Sequence, residues 1–192
     1  MTAITSLITH ELIDQAQNYS DYRALIDRLL LENKTTGDNH SEAMMDYTRI
    51  NVQRMKRWDK TAKVSETAAA SVQKIDRNQV WLVLTEAWCG DAAQNIPYIE
   101  KLAGLNDKIQ LKYILRDENL EVMDEFLTNG GRSIPKLIAL DAASLEILFT
   151  WGHGHRKCKK CYWLIRLTQK VFLLRNLKNL STCGMPRTKI KA

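Results

Sequence analysis

From residue 151 to residue 192 the chain contains no Asp or Glu, although that stretch carries 11 Lys or Arg. The overall charge of +6 therefore conceals a division, because residues 1 to 150 hold 17 basic against 22 acidic groups, a net of −5. No apolar run approaches the roughly 20 residues that a bilayer-crossing helix needs. The N-terminal stretch MTAITSLITHELIDQ has no basic leader ahead of an apolar core, so no secretory signal is expected. Cysteine is scarce at four residues, and proline at three. Four cysteines do not make a disulfide scaffold here, and in the reducing cytoplasm expected for such a chain they read as thiols. No internal repeat or low-complexity segment is evident. A content of 45% hydrophobic and 26% charged residues suits one well-buried globular domain with an extension.

The chain is organised around Val80 to Pro97, VWLVLTEAWCGDAAQNIP. The run from Val80 to Thr85 is built of β-branched and large apolar residues, the composition of a fully buried strand. The pattern breaks at Trp88. After Gly90 the apolar positions Ala93, Ile96 and Ile99 recur at helical spacing, and Asp91 complements the positive end of a helix running to about Leu105. Cys89 thus stands where a buried strand hands over to a helix. Backbone N–H groups and the helix dipole favour a thiolate there.

Four helices are expected ahead of this stretch. Ile4, Leu7, Ile8, Leu12 and Ile13 share one side of residues 4 to 17. Ser20 caps a second helix with a stripe of Tyr22, Leu25, Ile26, Leu29 and Leu30. After the turn-rich KTTGDNH, Ser41 caps a third helix running through Met44, Tyr47, Ile50, Val52 and Met55. His10 and His40 have no second ligand at a metal-binding interval and read as surface or capping residues. Ser65 then caps a short helix through Val72.

Beyond the central stretch, Ile109 to Leu115 alternates as a strand, and Glu118 to Leu127 reads as an amphipathic helix ended by Gly130 and Gly131. Pro135 to Leu140 and Leu145 to Thr150 form a hairpin around a turn at 141 to 144. Leu164, Leu167, Val171, Leu174 and Leu177 have the spacing of a closing helix.

The segment WCGDA resembles the WCGPC active site of the thioredoxin superfamily, and Arg132 Ser133 Ile134 Pro135 resemble the segment that carries its cis-proline. The stretch DENLEVMDEFLTNGGRSIPKLIALD is similar to a bacterial thioredoxin-like subgroup with a helical N-terminal extension and CGDA at the site. The resemblance implies an α/β thioredoxin-like fold, a central mixed sheet flanked by helices. It divides the chain into a helical extension (1 to 64), a thioredoxin-like domain (65 to 180) and a basic C-terminal tail (181 to 192) open to disorder.

The resemblance further implies that Cys89 is a catalytic nucleophile, with Trp88, Gly90, Asp91, Ile134 and Pro135 binding the substrate. A dithiol oxidoreductase resolves its mixed disulfide with a second cysteine three residues on, and that position is Ala92. The buried carboxylate of the family corresponds to Val83, which leaves its proton-transfer role unfilled. Asp91 replaces the family's proline, and its charge opposes a neighbouring thiolate. Two functions follow: thiol-disulfide exchange through a single cysteine, with a protein or low-molecular-weight thiol or disulfide as partner, or a redox-inactive binding module using the groove at Trp88, Ile134 and Pro135. No cofactor and no metal is expected, and the oligomeric state is left open.

The basic tail fits this picture least. Related sequences carry a proline-rich turn and a charge-mixed helix after the last strand, where this chain has GHGHRKCKK; a shifted reading frame after about Gly152 would account for the change, and translating the other frames tests it. His153, His155, Cys158 and Cys161 have the two-residue gap of a zinc knuckle, but four ligands within nine residues leave little chain to wrap a tetrahedron. The Lys and Arg residues read as a solvated face, with no base-reading motif, so neither nucleic acid nor membrane is an expected partner.

Overall fold

The computed structural model describes residues 7–152. The expected closing helix, the cysteine-histidine segment and the basic tail lie outside the described residues. So do residues 1 to 6, which include the start of the expected first helix.

Ten elements follow in order: α1 (His10–Gln15), α2 (Tyr19–Leu31), α3 (Glu42–Thr61), α4 (Glu66–Gln73), β1 (Gln79–Thr85), α5 (Gly90–Ala103), β2 (Ile109–Leu115), α6 (Leu120–Asp124), β3 (Lys136–Asp141) and β4 (Ile147–Gly152). The strands form one mixed sheet in the order β2-β1-β3-β4. β1 pairs parallel with β2 and antiparallel with β3, and β3 pairs antiparallel with β4. This is the α/β arrangement of a thioredoxin-like fold, a mixed sheet with helices around it.

Every residue of β1 is buried, as its apolar composition demands. Each fully buried Leu or Val of this strand contributes about 1.5–3 kcal/mol relative to exposure. Alternate residues face two cores. Trp81 and Val83 join Tyr22, Ile26, Val52, Met55, Ile96 and Ile99 on one side, while Leu82 and Leu84 join Met123, Ile134 and Ile138 on the other. The first cluster draws α2 and α3 onto the same sheet as α5. Arg23 of α2 meets Asp59 of α3 at 2.6 Å, and the Tyr19 hydroxyl donates to Asp59 Oδ1 at 2.7 Å. Gln17 exchanges both backbone hydrogen bonds with Tyr113, which covers the outer edge of β2.

Several expectations are corrected. α1 begins only at His10, with Thr9 as its cap. Asn18, not Ser20, caps α2 by accepting from the Asp21 N–H, and Ser20 sits inside the helix. On α3 the buried row is Met45, Thr48, Asn51, Val52 and Met55, while Tyr47 and Ile50 are 55% and 48% exposed. Ser41 stands at the N-cap of that helix as expected, but its side chain makes no cap bond. Finally, α6 spans five residues and stops before Phe126, and Gly130 belongs to the Thr128–Gly131 turn, where its φ of +78° suits glycine.

Candidate functional site

Cys89 is the N-cap of α5. Its backbone remains extended, and its Sγ accepts from the Ala92 N–H at 3.5 Å, as the exposed donors of a helix start allow. The loop before it is fixed by the Cys89 N–H, which donates to the Glu86 carbonyl at 3.1 Å. Across the site, the Cys89 thiol donates to the carbonyl of Ile134 at 3.5 Å. The Ile134–Pro135 peptide bond is cis. Ile134 itself is buried, and half-buried Trp88 packs against the same cluster. The structure therefore brings Trp88, Cys89, Gly90, Ile134 and Pro135 together at one end of the sheet. Asp91 lies beside them in the exposed first turn of α5.

The thiol is half-buried. Burial pushes its pKa up, and that outweighs the Ala92 and Asp91 N–H groups, which favour the thiolate; the Asp91 carboxylate adds to the rise and the Arg116 guanidinium opposes it. The helix start acts in the anticipated direction but is outweighed by desolvation. Ala92 is buried, with its backbone N–H aimed at the sulfur.

Several residues that the sequence did not single out complete the site. Val83 is buried in β1, but Glu86, three residues before Cys89, is also fully buried. Its Oε1 accepts from the Asp117 N–H at 2.9 Å, and Oε2 has no hydrogen bond among the described residues. Burial raises the Glu86 pKa, against the pull of the Thr36 side chain and then of that N–H. Its charge interrupts an apolar run next to Cys89, which is the one signal the sequence carries of it.

Arg116 follows β2, at the strand end where open α/β sheets assemble sites. Its N–H donates to the Thr85 carbonyl at 3.1 Å, and its guanidinium lies 4.9 Å from the centre of the Trp88 ring. From the other side, Asn51 of α3 donates to the Ala87 carbonyl at 2.9 Å and accepts from Arg54 at 3.0 Å. The Thr36 hydroxyl oxygen accepts from the Ala87 N–H at 2.9 Å. Both backbone groups of Ala87 are thus held by side chains from the N-terminal helical region. Among the described residues no group of His, Cys, Asp and Glu is placed to hold a metal ion. No helix there is long and apolar enough to cross a membrane.

On this thioredoxin-like fold a cysteine caps the helix that follows the central strand, opposite a cis-proline loop. The sequence profile of the thioredoxin family matches residues 37–169. The chain belongs to that family. It is similar in structure to a protein of unknown function from Pseudomonas aeruginosa, with a TM-score of 0.52 and 14% identity over 88% of this chain and 92% of that one. It is also similar to an HIV epitope-scaffold, with a TM-score of 0.53 and 14% identity over 88% and 93% of the two chains. At that identity the likeness is one of fold. No curated protein matches the chain.

Proposed function

We propose that this protein exchanges thiols and disulfides through Cys89 alone. The observation that carries the reading is the 3.5 Å approach of Cys89 Sγ to the Ile134 carbonyl, which places the sulfur between a helix start and the Ile134–Pro135 loop. In the first step Cys89 gives up its proton, and the thiolate attacks a substrate disulfide, forming one S–S bond and releasing one substrate thiolate, which takes up a proton. In the second, an external low-molecular-weight thiol gives up its proton and attacks the substrate sulfur of the mixed disulfide, forming a disulfide with it and expelling Cys89 as thiolate, which takes up a proton. That external thiol replaces the missing cysteine at Ala92. The raised pKa makes the thiolate scarcer at neutral pH but a stronger nucleophile once formed.

Trp88 and Gly90 border the approach to the sulfur. Ile134 and Pro135 offer backbone to an extended substrate, in the manner of strand addition. Asp91, exposed beside the thiol, disfavours acidic groups at that edge. The setting is the cytoplasm, where small thiols are abundant. Thr36 and Asn51, from the helical region ahead of the exchange domain, brace the Cys89 loop through Ala87.

The raised thiol pKa and the buried Ala92 favour a second reading, a binding module that uses the same groove without turnover. One assay separates the two: reduction of 2-hydroxyethyl disulfide by glutathione with the wild type and with Cys89→Ser. Exchange predicts acceleration by the wild type that Cys89→Ser abolishes, together with a mixed disulfide on Cys89 seen by mass spectrometry. Equal rates for the two proteins leave the binding module standing.

A further inference from the structure

We propose that Arg116 is the positioning residue of this site: its guanidinium, held over Trp88 and tied to both loops that border the sulfur, steadies the negative charge that develops on Cys89 Sγ. The inference rests on Cys89 being the exchanging thiol. Burial disfavours a thiolate, and a protein that uses one needs fixed positive charge near it.

The geometry fixes where that charge sits. The Arg116 N–H is bonded to the last residue of β1, and the following N–H, of Asp117, is bonded to buried Glu86 three residues before the cysteine. The turn after β2 is thereby locked to the Cys89 loop. From this anchor the side chain reaches back over Trp88. Its Nη1 donates to the Arg132 carbonyl at 3.5 Å, two residues before the Ile134 carbonyl that receives the thiol. Nε and Nη2 both engage Asp117 Oδ1, at 2.8 and 2.6 Å, which fixes the plane of the fork. One guanidinium therefore spans the cysteine loop and the proline loop. Glu86 acquires a reason to be buried, since its carboxylate holds the turn that aims Arg116.

The other charged and titratable groups around the thiol are Tyr22 from α2, Arg54 from α3 beside Gly90, Glu86 at the end of β1 and Asp91 in α5. The carboxylates of Glu86 and Asp91 and any phenolate at Tyr22 oppose a thiolate. Arg54 lies at the helix start, where its guanidinium would be 3.1 Å from a Cβ at Gly90. Arg116 is the cation on the side of the Trp88 ring and the Ile134 carbonyl.

The test follows Cys89 alkylation by iodoacetamide as a function of pH in the full chain, read by mass spectrometry of the peptide that contains Cys89. Arg116→Gln is expected to move the midpoint up and to slow alkylation at neutral pH by about threefold to tenfold. Arg116→Lys keeps the charge without the fork and is expected to stay close to the wild type. Asp117→Asn keeps the backbone N–H to Glu86 but removes the competing carboxylate, and is expected to move the midpoint down. Overlaid profiles for Arg116→Gln and the wild type overturn the inference, as does a lysine variant that behaves like the glutamine one. A shift of the same sign in Asp117→Asn and Arg116→Gln does so as well. Should Arg116→Gln fail to fold, the lysine and Asp117→Asn profiles still decide. Loss of disulfide exchange in the wild type is a separate result that strikes the proposed function and leaves these profiles interpretable.

Discussion

Asn51 on α3 donates its side-chain amide to the carbonyl of Ala87, two residues before Cys89, at 2.9 Å. Both partners are buried, so the bond is one that the fold loses at full desolvation cost. Asn51→Ala strands the Ala87 carbonyl and removes the acceptor for Arg54. A loss of about 1–3 kcal/mol is expected in urea unfolding. A change within about 0.5 kcal/mol would mean that the helical region does not brace the cysteine loop.

A second tie from the same region runs through Gly37. Its φ is +75°, and a Cβ there would come within 2.6 Å of Asp117 Oδ2. Gly37→Ala therefore meets a strained backbone and displaces the carboxylate that holds Arg116. The expected cost is about 1–2 kcal/mol of stability, from the left-handed backbone alone. Thermal unfolding checks it, with Gly131→Ala as the control, since Gly131 has no positive φ and its nearest neighbour would lie at 3.5 Å. Equal effects at the two positions would count against the close approach at Asp117.

Much of this frame is legible in the residues themselves. The strand from Val80, the helix start at Cys89 and the Ser65 cap follow from apolar runs and capping chemistry that are local in sequence. What escaped is decided by tertiary packing. Tyr47 and Ile50 are apolar at helical spacing, yet the face of α3 that turns inward is the one carrying Thr48 and Asn51, because those side chains bond across to Thr35 and Ala87. The run from Glu118 to Leu127 keeps helical periodicity, but the chain leaves the helix so that Phe126 can reach the core. Glu86 is only faintly marked in the sequence, and Arg116 not at all, for a related reason. A buried acid and a cation after a strand acquire meaning only when the turn after β2 is laid against the cysteine loop.

Glu86 also makes stability depend on pH. Its pKa in the folded protein is raised above the ordinary 4.5, so the fold favours its protonated form. That contribution is fully present below the unfolded value and is lost as pH rises through the folded one. Glu86→Gln keeps an acceptor for the Asp117 N–H without the charge. The difference in urea midpoint between variant and wild type should therefore grow in favour of the variant from about pH 4 to about pH 8. Parallel curves across that range would sink the assignment of a buried, proton-preferring carboxyl at this position.

Ala92 offers the most direct probe of how the cycle ends. It is 1% exposed, and its N–H already points at Cys89 Sγ from the first turn of α5. Ala92→Cys supplies a second thiol at the position from which dithiol proteins resolve their mixed disulfides. The added sulfur enters a packed site and should cost about 1–3 kcal/mol of stability in the reduced protein. In return the variant should expel a bound substrate by itself, closing an internal disulfide between position 92 and Cys89, whereas the wild type holds its mixed disulfide until an external thiol arrives. Mass spectrometry after a stoichiometric disulfide challenge, without added thiol, distinguishes the two states. If the variant retains the mixed disulfide as the wild type does, the second sulfur cannot reach the first. The missing cysteine would then be a consequence of packing at this helix start and not the feature that commits the protein to an external thiol.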